Sequence, residues 1–329
     1  MLKRIALWGF GAIALLAAAV YIAFQVSPWP SALLVRYAFA KGDAEIIAAV
    51  EPFVPKDVTA QNALSYDDND PDARLDVFAP ATQAGPLPAV VWIHGGGFVA
   101  GTRDSVAGYI KIIASHGYVT FTVDYTLAPE APFPTPVRQV NAALAYIVAN
   151  AAKFNIDPAR IFLAGDSAGA HIAAQSALVI TDPTYAESLK ITPGLQRSSL
   201  RGLLLYCGPY DPTALNFDGS FGGFMRTVIW SYVGTPDPKD PRVAQMSLPA
   251  HMTAEFPPFF ISVGNADPLA PQSTQLADAA RAKGVEVDAL FFPQDYEPPL
   301  SHEYQFYLSK DAAKEALDRS LKFLAAHDN

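Results

Sequence analysis

The chain is 329 residues long, 51 % hydrophobic and 17 % charged, a balance that excludes a disordered or coiled-coil protein because so much apolar surface must be hidden from water. Its net charge of −9 leaves no basic stripe to neutralise phosphates, so no nucleic-acid partner is expected. The single cysteine, Cys207, excludes an internal disulfide and a cysteine-based zinc site.

The first element follows Met1-Leu2-Lys3-Arg4, where residues 5–26 form an uncharged apolar run. As a helix this run reaches roughly 33 Å, enough for a hydrocarbon core of about 30 Å. It predicts an uncleaved membrane anchor over residues 1–27. A cleaved signal peptide is the alternative, since Ala17-Ala18-Ala19 offers the small residues a signal peptidase accepts, and a buried helix is the third reading. Against cleavage, the run continues through Val20, Tyr21, Ile22 and Phe24. Lys3 and Arg4 precede it and the next basic residue is Arg36. The positive-inside rule then puts the rest of the chain outside the cytosol, on the periplasmic side; signal cleavage would make the protein secreted.

Beyond Ser27-Pro28-Trp29-Pro30 the pattern predicts a mostly helical stretch, Ser31 to Val50, and then a loop rich in Pro, Asp and Asn up to Asp72. Short apolar runs follow at Arg74–Phe78, Ala89–Ile93, Tyr118–Val123, Ile161–Ala164, Gly202–Cys207, Phe259–Val263 and Val285–Phe292. These read as strands, and the continuous ones imply burial on both faces. Helical patterns lie between them, clearest in Pro136–Ala152, where Val137, Val140, Leu144, Ile147, Val148 and Ala151 recur at helical spacing. The alternation predicts an α/β fold with a mostly parallel sheet flanked by helices. Two segments stand outside it: residues 31–50, and residues 208–250 with Phe217, Phe221, Phe224, Trp230 and Tyr232. The second reads as a lid over a site or as an irregular surface patch.

The chemistry concentrates at strand ends. Strand Ile161–Ala164 runs into Gly165-Asp166-Ser167-Ala168-Gly169 and a helix from Ala170 to Ile180. This is Gly-x-Ser-x-Gly in the strand, turn, helix setting that lifts a serine hydroxyl clear of a sheet. His94-Gly95-Gly96-Gly97-Phe98 follows strand Ala89–Ile93, and glycines in succession let backbone N–H groups turn toward an oxyanion. A serine nucleophile needs a base, and the base needs an orienting carboxylate. Asp267, after strand Phe259–Val263, and His302, after the last strand, supply them in the order Ser, Asp, His.

Together with Leu127-Ala128-Pro129-Glu130, Phe133-Pro134 and Asp267-Pro268-Leu269, these motifs resemble the hormone-sensitive-lipase-like branch of the α/β-hydrolases, the bacterial esterases that carry an HGGG motif. The resemblance implies Ser167 as nucleophile, His302 as base, Asp267 as its partner, and an oxyanion hole from the amides of Gly96, Gly97 and Ala168. It also implies a hydrolase domain over residues 28–329 with cap elements near 31–55 and 208–250. Two departures stand out. Thr126 follows Tyr125 where the family has arginine, and Glu303 follows His302 where it has glycine. Both are expected to bear on acyl specificity rather than on proton transfer.

The reading that results is a serine carboxylesterase without cofactor or metal, acting on a small-molecule ester of short to medium acyl chain. The alternatives are a deacetylase or amidase of an envelope glycan or peptide, and a non-catalytic anchored binding module. His94 is expected to hold its own loop, His171 to pack and Cys207 to be an inert buried thiol. The oligomeric state is unknown from the sequence.

Overall fold

The computed structural model describes residues 2–328, with side chains from Trp8 onward except that of Ser220. Lys3 and Arg4, whose charges are expected to orient the N-terminal segment, lie outside the described side chains. Among the described residues, eight strands form one sheet in the order β1-β2-β4-β3-β5-β6-β7-β8. They are β1 (Val58–Ser65), β2 (Arg74–Pro80), β3 (Leu87–Ile93), β4 (Val119–Val123), β5 (Ile156–Asp166), β6 (Leu200–Tyr206), β7 (Phe259–Val263) and β8 (Val287–Phe291). β2 pairs antiparallel with β1 and β4, and every other pairing is parallel. The expected mostly parallel sheet is present.

Its apolar runs are continuous because both faces are covered. Val91, Leu163, Leu205 and Ile261 point into one buried cluster, while Val90, Trp92, Phe162, Leu204 and Phe260 point into the other. Successive residues alternate between the two cores, as the period of a strand requires. The helices Thr135–Ala149 and Ala168–Thr181 cover the first face, and Arg103–Ala114 and Asp311–His327 the second.

Two expectations are corrected. The predicted loop before Asp72 contains β1, whose side chains are mostly exposed. An edge strand with one partner needs no apolar face, so Thr59, Ala60 and Gln61 show no apolar alternation while their backbone still pairs with β2. The 208–250 segment is no irregular patch: it holds a helix, Gly219–Val233, that buries Met225, Val228, Ile229, Tyr232 and Val233.

The N-terminal helix Leu2–Val26 stands apart from both cores. Its span Trp8–Val26 has a mean hydropathy of 2.0 with none of it buried, which overturns the buried-helix reading. By length and composition it can cross a membrane, and a signal sequence would look the same. The next helix, Trp29–Val50, begins after only Ser27 and Pro28 and packs against Arg103–Ala114 and Gly219–Val233.

Candidate active site

The site is assembled at the carboxyl ends of β3, β5, β7 and β8, where open parallel sheets place functional groups. Ser167 directly follows β5 in a strained conformation, φ 50 and ψ −121, outside the regions L-residues favour. Its amide donates to the Tyr206 carbonyl at 2.8 Å, which fixes the turn against β6. A Cβ added at Gly169 would collide with the carbonyl oxygens of Ile93 and His94. Only glycine there lets the helix Ala168–Thr181 start directly against the end of β3.

Three side chains from distant parts of the chain then meet. Ser167 Oγ lies 2.9 Å from His302 Nε2, and His302 Nδ1 lies 2.7 Å from Asp267 Oδ2. A carboxylate only accepts, so Nδ1 carries the proton and Nε2 is left to accept from the serine hydroxyl. The other Asp267 oxygen accepts from the Leu269 amide at 2.8 Å, which sets the carboxylate's rotation. Burial opposes a charged imidazole at His302, yet its neighbours Cys207 and Asp267 outweigh that and hold its pKa well above 6.5. Burial pushes the Cys207 thiol up to about 11, so at neutral pH the thiol is uncharged and Asp267 is the effective partner. One donor atom each of Cys207, Asp267 and His302 falls within 4.8 Å of the others. Both imidazole nitrogens are already committed to Asp267 and Ser167, so the cluster is a hydrogen-bonded relay with a neutral thiol packed beside it.

The glycine loop after β3 is held from within. His94 Nδ1 donates to the Gly95 carbonyl at 2.8 Å, and its ring stacks on Tyr125 with centroids 4.4 Å apart. Burial lowers the His94 pKa, so this ring is a neutral strut. Gly96 has φ +105, and a Cβ there would strike the Ala100 carbonyl. Among the described residues, none accepts a hydrogen bond from the amides of Gly96 or Gly97, and Ala168 opens its helix, where N–H groups have no intrahelical partner. Gly97 and Ala168 line one cavity with Ser167 and His302, whereas Gly96 lines a separate cavity of about 20 Å³.

The larger cavity has a volume of about 430 Å³ and is walled by Phe39, Phe98, Phe221, Phe224, Met225, Val228 and Leu269. Phe39 stacks on Phe224 at 5.9 Å, so the two segments that broke the strand–helix alternation close over the serine together. His171 lies buried, its Nδ1 donating to Pro209 carbonyl at 2.9 Å, and burial brings its pKa down to about 4. It packs, as expected.

Sequence reasoning missed Asn265 and gave Glu303 a different role. Asn265 Oδ1 accepts from the Leu300 amide at 2.8 Å and its Nδ2 donates to the carbonyls of Gln294 and Tyr296, pinning the histidine loop to the aspartate loop. Glu303 was expected to bear on acyl specificity, but its Oε1 lies 3.7 Å from His302 Nε2 and it does not line the acyl-sized cavity. Thr126 is likewise remote from that cavity, its hydroxyl donating to Asp72 at 2.8 Å. The sole signal for Glu303 was its substitution for a glycine.

Known proteins resemble this chain in sequence and in fold. A profile of the family described as BD-FAE matches residues 75–279. Carboxylesterase NlhH of Mycobacterium tuberculosis is 33 % identical over 263 residues, 77 % of this chain and 78 % of that protein. Esterase B of Lactobacillus rhamnosis superposes with a TM-score of 0.79 at 22 % identity, over 91 % of this chain and 96 % of that one. A bacterial heroin esterase gives 0.68 at 26 % identity, over 88 % and 90 %. The structural likeness at 22 % identity speaks for the fold, and the NlhH identity, sustained over three quarters of both chains, speaks for kinship. With the HGGG loop and the Gly-Asp-Ser-Ala-Gly elbow in place, the chain belongs to the hormone-sensitive-lipase-like bacterial esterases of the α/β-hydrolase superfamily and is a carboxylic ester hydrolase.

Proposed function

We propose that the chain is a serine carboxylesterase for short to medium acyl esters. The observation that carries this is the unbroken relay from Ser167 Oγ to His302 and Asp267, at 2.9 and 2.7 Å, opening into an apolar cavity of about 430 Å³. Ser167 Oγ attacks the ester carbonyl as His302 Nε2 takes its proton. The oxyanion is received by the amides of Gly97 and Ala168, with Gly96 beside them in the loop. The imidazolium returns the proton to the leaving alcohol, and water repeats the sequence on the acyl-enzyme. The apolar walls favour an acyl chain over a glycan, which sets the esterase reading above the deacetylase and amidase alternatives. A fluorophosphonate should label Ser167 stoichiometrically; a label on another residue, with Ser167 unmodified, would refute the assignment.

The helix Trp29–Val50 and the 208–250 segment act as the cap in this reading. Because Phe39 and Phe224 meet over the cavity, its length is bounded. Each added methylene should raise kcat/KM by about fourfold, the equivalent of roughly 0.8 kcal/mol, until the chain outgrows the cavity at about eight carbons. Esterase B has been solved with a tributyrin phosphonate, an inhibitor with acyl groups in this range. A series of p-nitrophenyl esters checks the cut-off. Rates still climbing at long-chain emulsions would show an open groove instead.

The N-terminal helix is proposed as an uncleaved anchor through residues 5–26, with the hydrolase domain on the non-cytosolic face. Its support is an apolar span of mean hydropathy 2.0 with no buried residue, which water alone would not tolerate as a stable surface. The full chain should remain in the membrane pellet through alkaline carbonate washing. A soluble form with its N-terminus near Val20 would identify a cleaved signal.

A further inference from the structure

Glu303 holds a conformation that a residue with a Cβ disfavours, φ 57, at the position where the resembled family has glycine. Its carboxyl turns inward. Oε1 stands 3.7 Å from His302 Nε2, the nitrogen that faces Ser167. A Cβ on Gly95 would crowd both Glu303 Oε1 and Asp166 Oδ2, so the two carboxyls converge over that glycine. Asp166 accepts from the Trp92 indole at 2.7 Å and from the Gly95 amide at 2.9 Å. Fixed donors favour its charged form, which leaves Glu303 to carry the proton the pair shares.

Resting on the Ser167–His302–Asp267 reading, we propose that Glu303 is a positioning residue for ester hydrolysis: its inward carboxyl holds the imidazole toward Ser167 and, once ionised, stabilises the imidazolium formed during attack. The groups facing it are Asp166 at the end of β5, Cys207 after β6, Asp267 and His302, with Asp43 of the helix Trp29–Val50 lining the small cavity beside it. Burial raises the pKa of Glu303, the His302 charge works against this, and the Asp166 charge raises it further; burial also raises Asp166. The sign follows. A raised carboxyl gains its charge only on the alkaline side of the usual carboxylate range, so kcat/KM should show, besides the rise that marks neutral His302, a second rise as Glu303 ionises.

The test is the pH profile of kcat/KM for the full chain on a water-soluble short-chain ester between about pH 5 and pH 10. Glu303→Gln keeps the side-chain shape and can still donate to Asp166, but cannot ionise. Its loss should grow with pH to roughly tenfold, the size expected of a charge about 4 Å from an imidazolium. Glu303→Gly relieves the backbone strain and removes the carboxyl, and should lose the same alkaline limb. Either variant keeping a second limb of native height overturns the proposal. Activity retained by Ser167→Ala would instead overturn the relay reading beneath it, whatever the Glu303 profiles show.

Discussion

Ser167→Ala is expected to lower kcat on the order of 10⁶-fold, the loss seen when a triad nucleophile is removed and its partners are left idle. Among the described residues the hydroxyl's one polar partner is His302 Nε2 at 2.9 Å, so its deletion exposes no new buried group. Alanine meets the same strain as serine at φ 50, and the Ser167 amide still donates to Tyr206. Stability should therefore stay within about 0.5 kcal/mol of the parent. The amides of Gly97 and Ala168 remain free to bind a carbonyl oxygen, so the variant should keep substrate affinity and a residual rate roughly 10³–10⁴ above water. Pre-steady-state kinetics separates the cases: the parent shows a burst of released alcohol and the variant none. A burst that survives the substitution would mean that another nucleophile forms the acyl-enzyme.

The difference between what the sequence disclosed and what it hid has a physical pattern. β3, β5, β6 and β7 were readable because burial on two faces demands unbroken apolar runs. Ser167, His94 to Gly97, Asp267 and His302 could be picked out as candidates because they sit at strand ends in short local motifs. β1 left no signal because a solvent-facing edge strand is specified by its partner's backbone rather than by its own side chains. The helix Gly219–Val233 was masked since Phe221, Phe224 and Val228 face the cavity while Tyr232 and Val233 face the core, which blurs a single apolar stripe. The stacking of Phe39 on Phe224 joins residues far apart in the chain, and no local pattern reports it. The inward turn of Glu303 depends on one backbone dihedral, and the pinning role of Asn265 on three loop groups that only tertiary structure brings within reach.

Asp267→Asn should cost about 10⁴-fold in kcat while leaving the cavity and its apolar contacts unchanged. The side chain is buried and its two oxygens have separate duties, one toward His302 Nδ1 at 2.7 Å and one toward the Leu269 amide at 2.8 Å. An asparagine has a single acceptor oxygen. If that oxygen keeps the Leu269 amide, the NH₂ group faces Nδ1, and the imidazole must move its proton to Nε2 to accept from it. The nitrogen facing Ser167 then carries a hydrogen and cannot serve as base. The pH profile reports the same change independently. His302 is held above its ordinary pKa partly by the Asp267 charge, so the parent's activity rises with pH through a value above 6.5. Removing the charge lowers that pKa, and what activity remains should reach its plateau at lower pH. A variant with the 10⁴-fold loss and an unmoved limb would show that Asp267 orients the ring without stabilising its charge. A variant of near-native rate would remove Asp267 from the relay and leave Glu303, the other carboxyl beside this imidazole, as its candidate replacement.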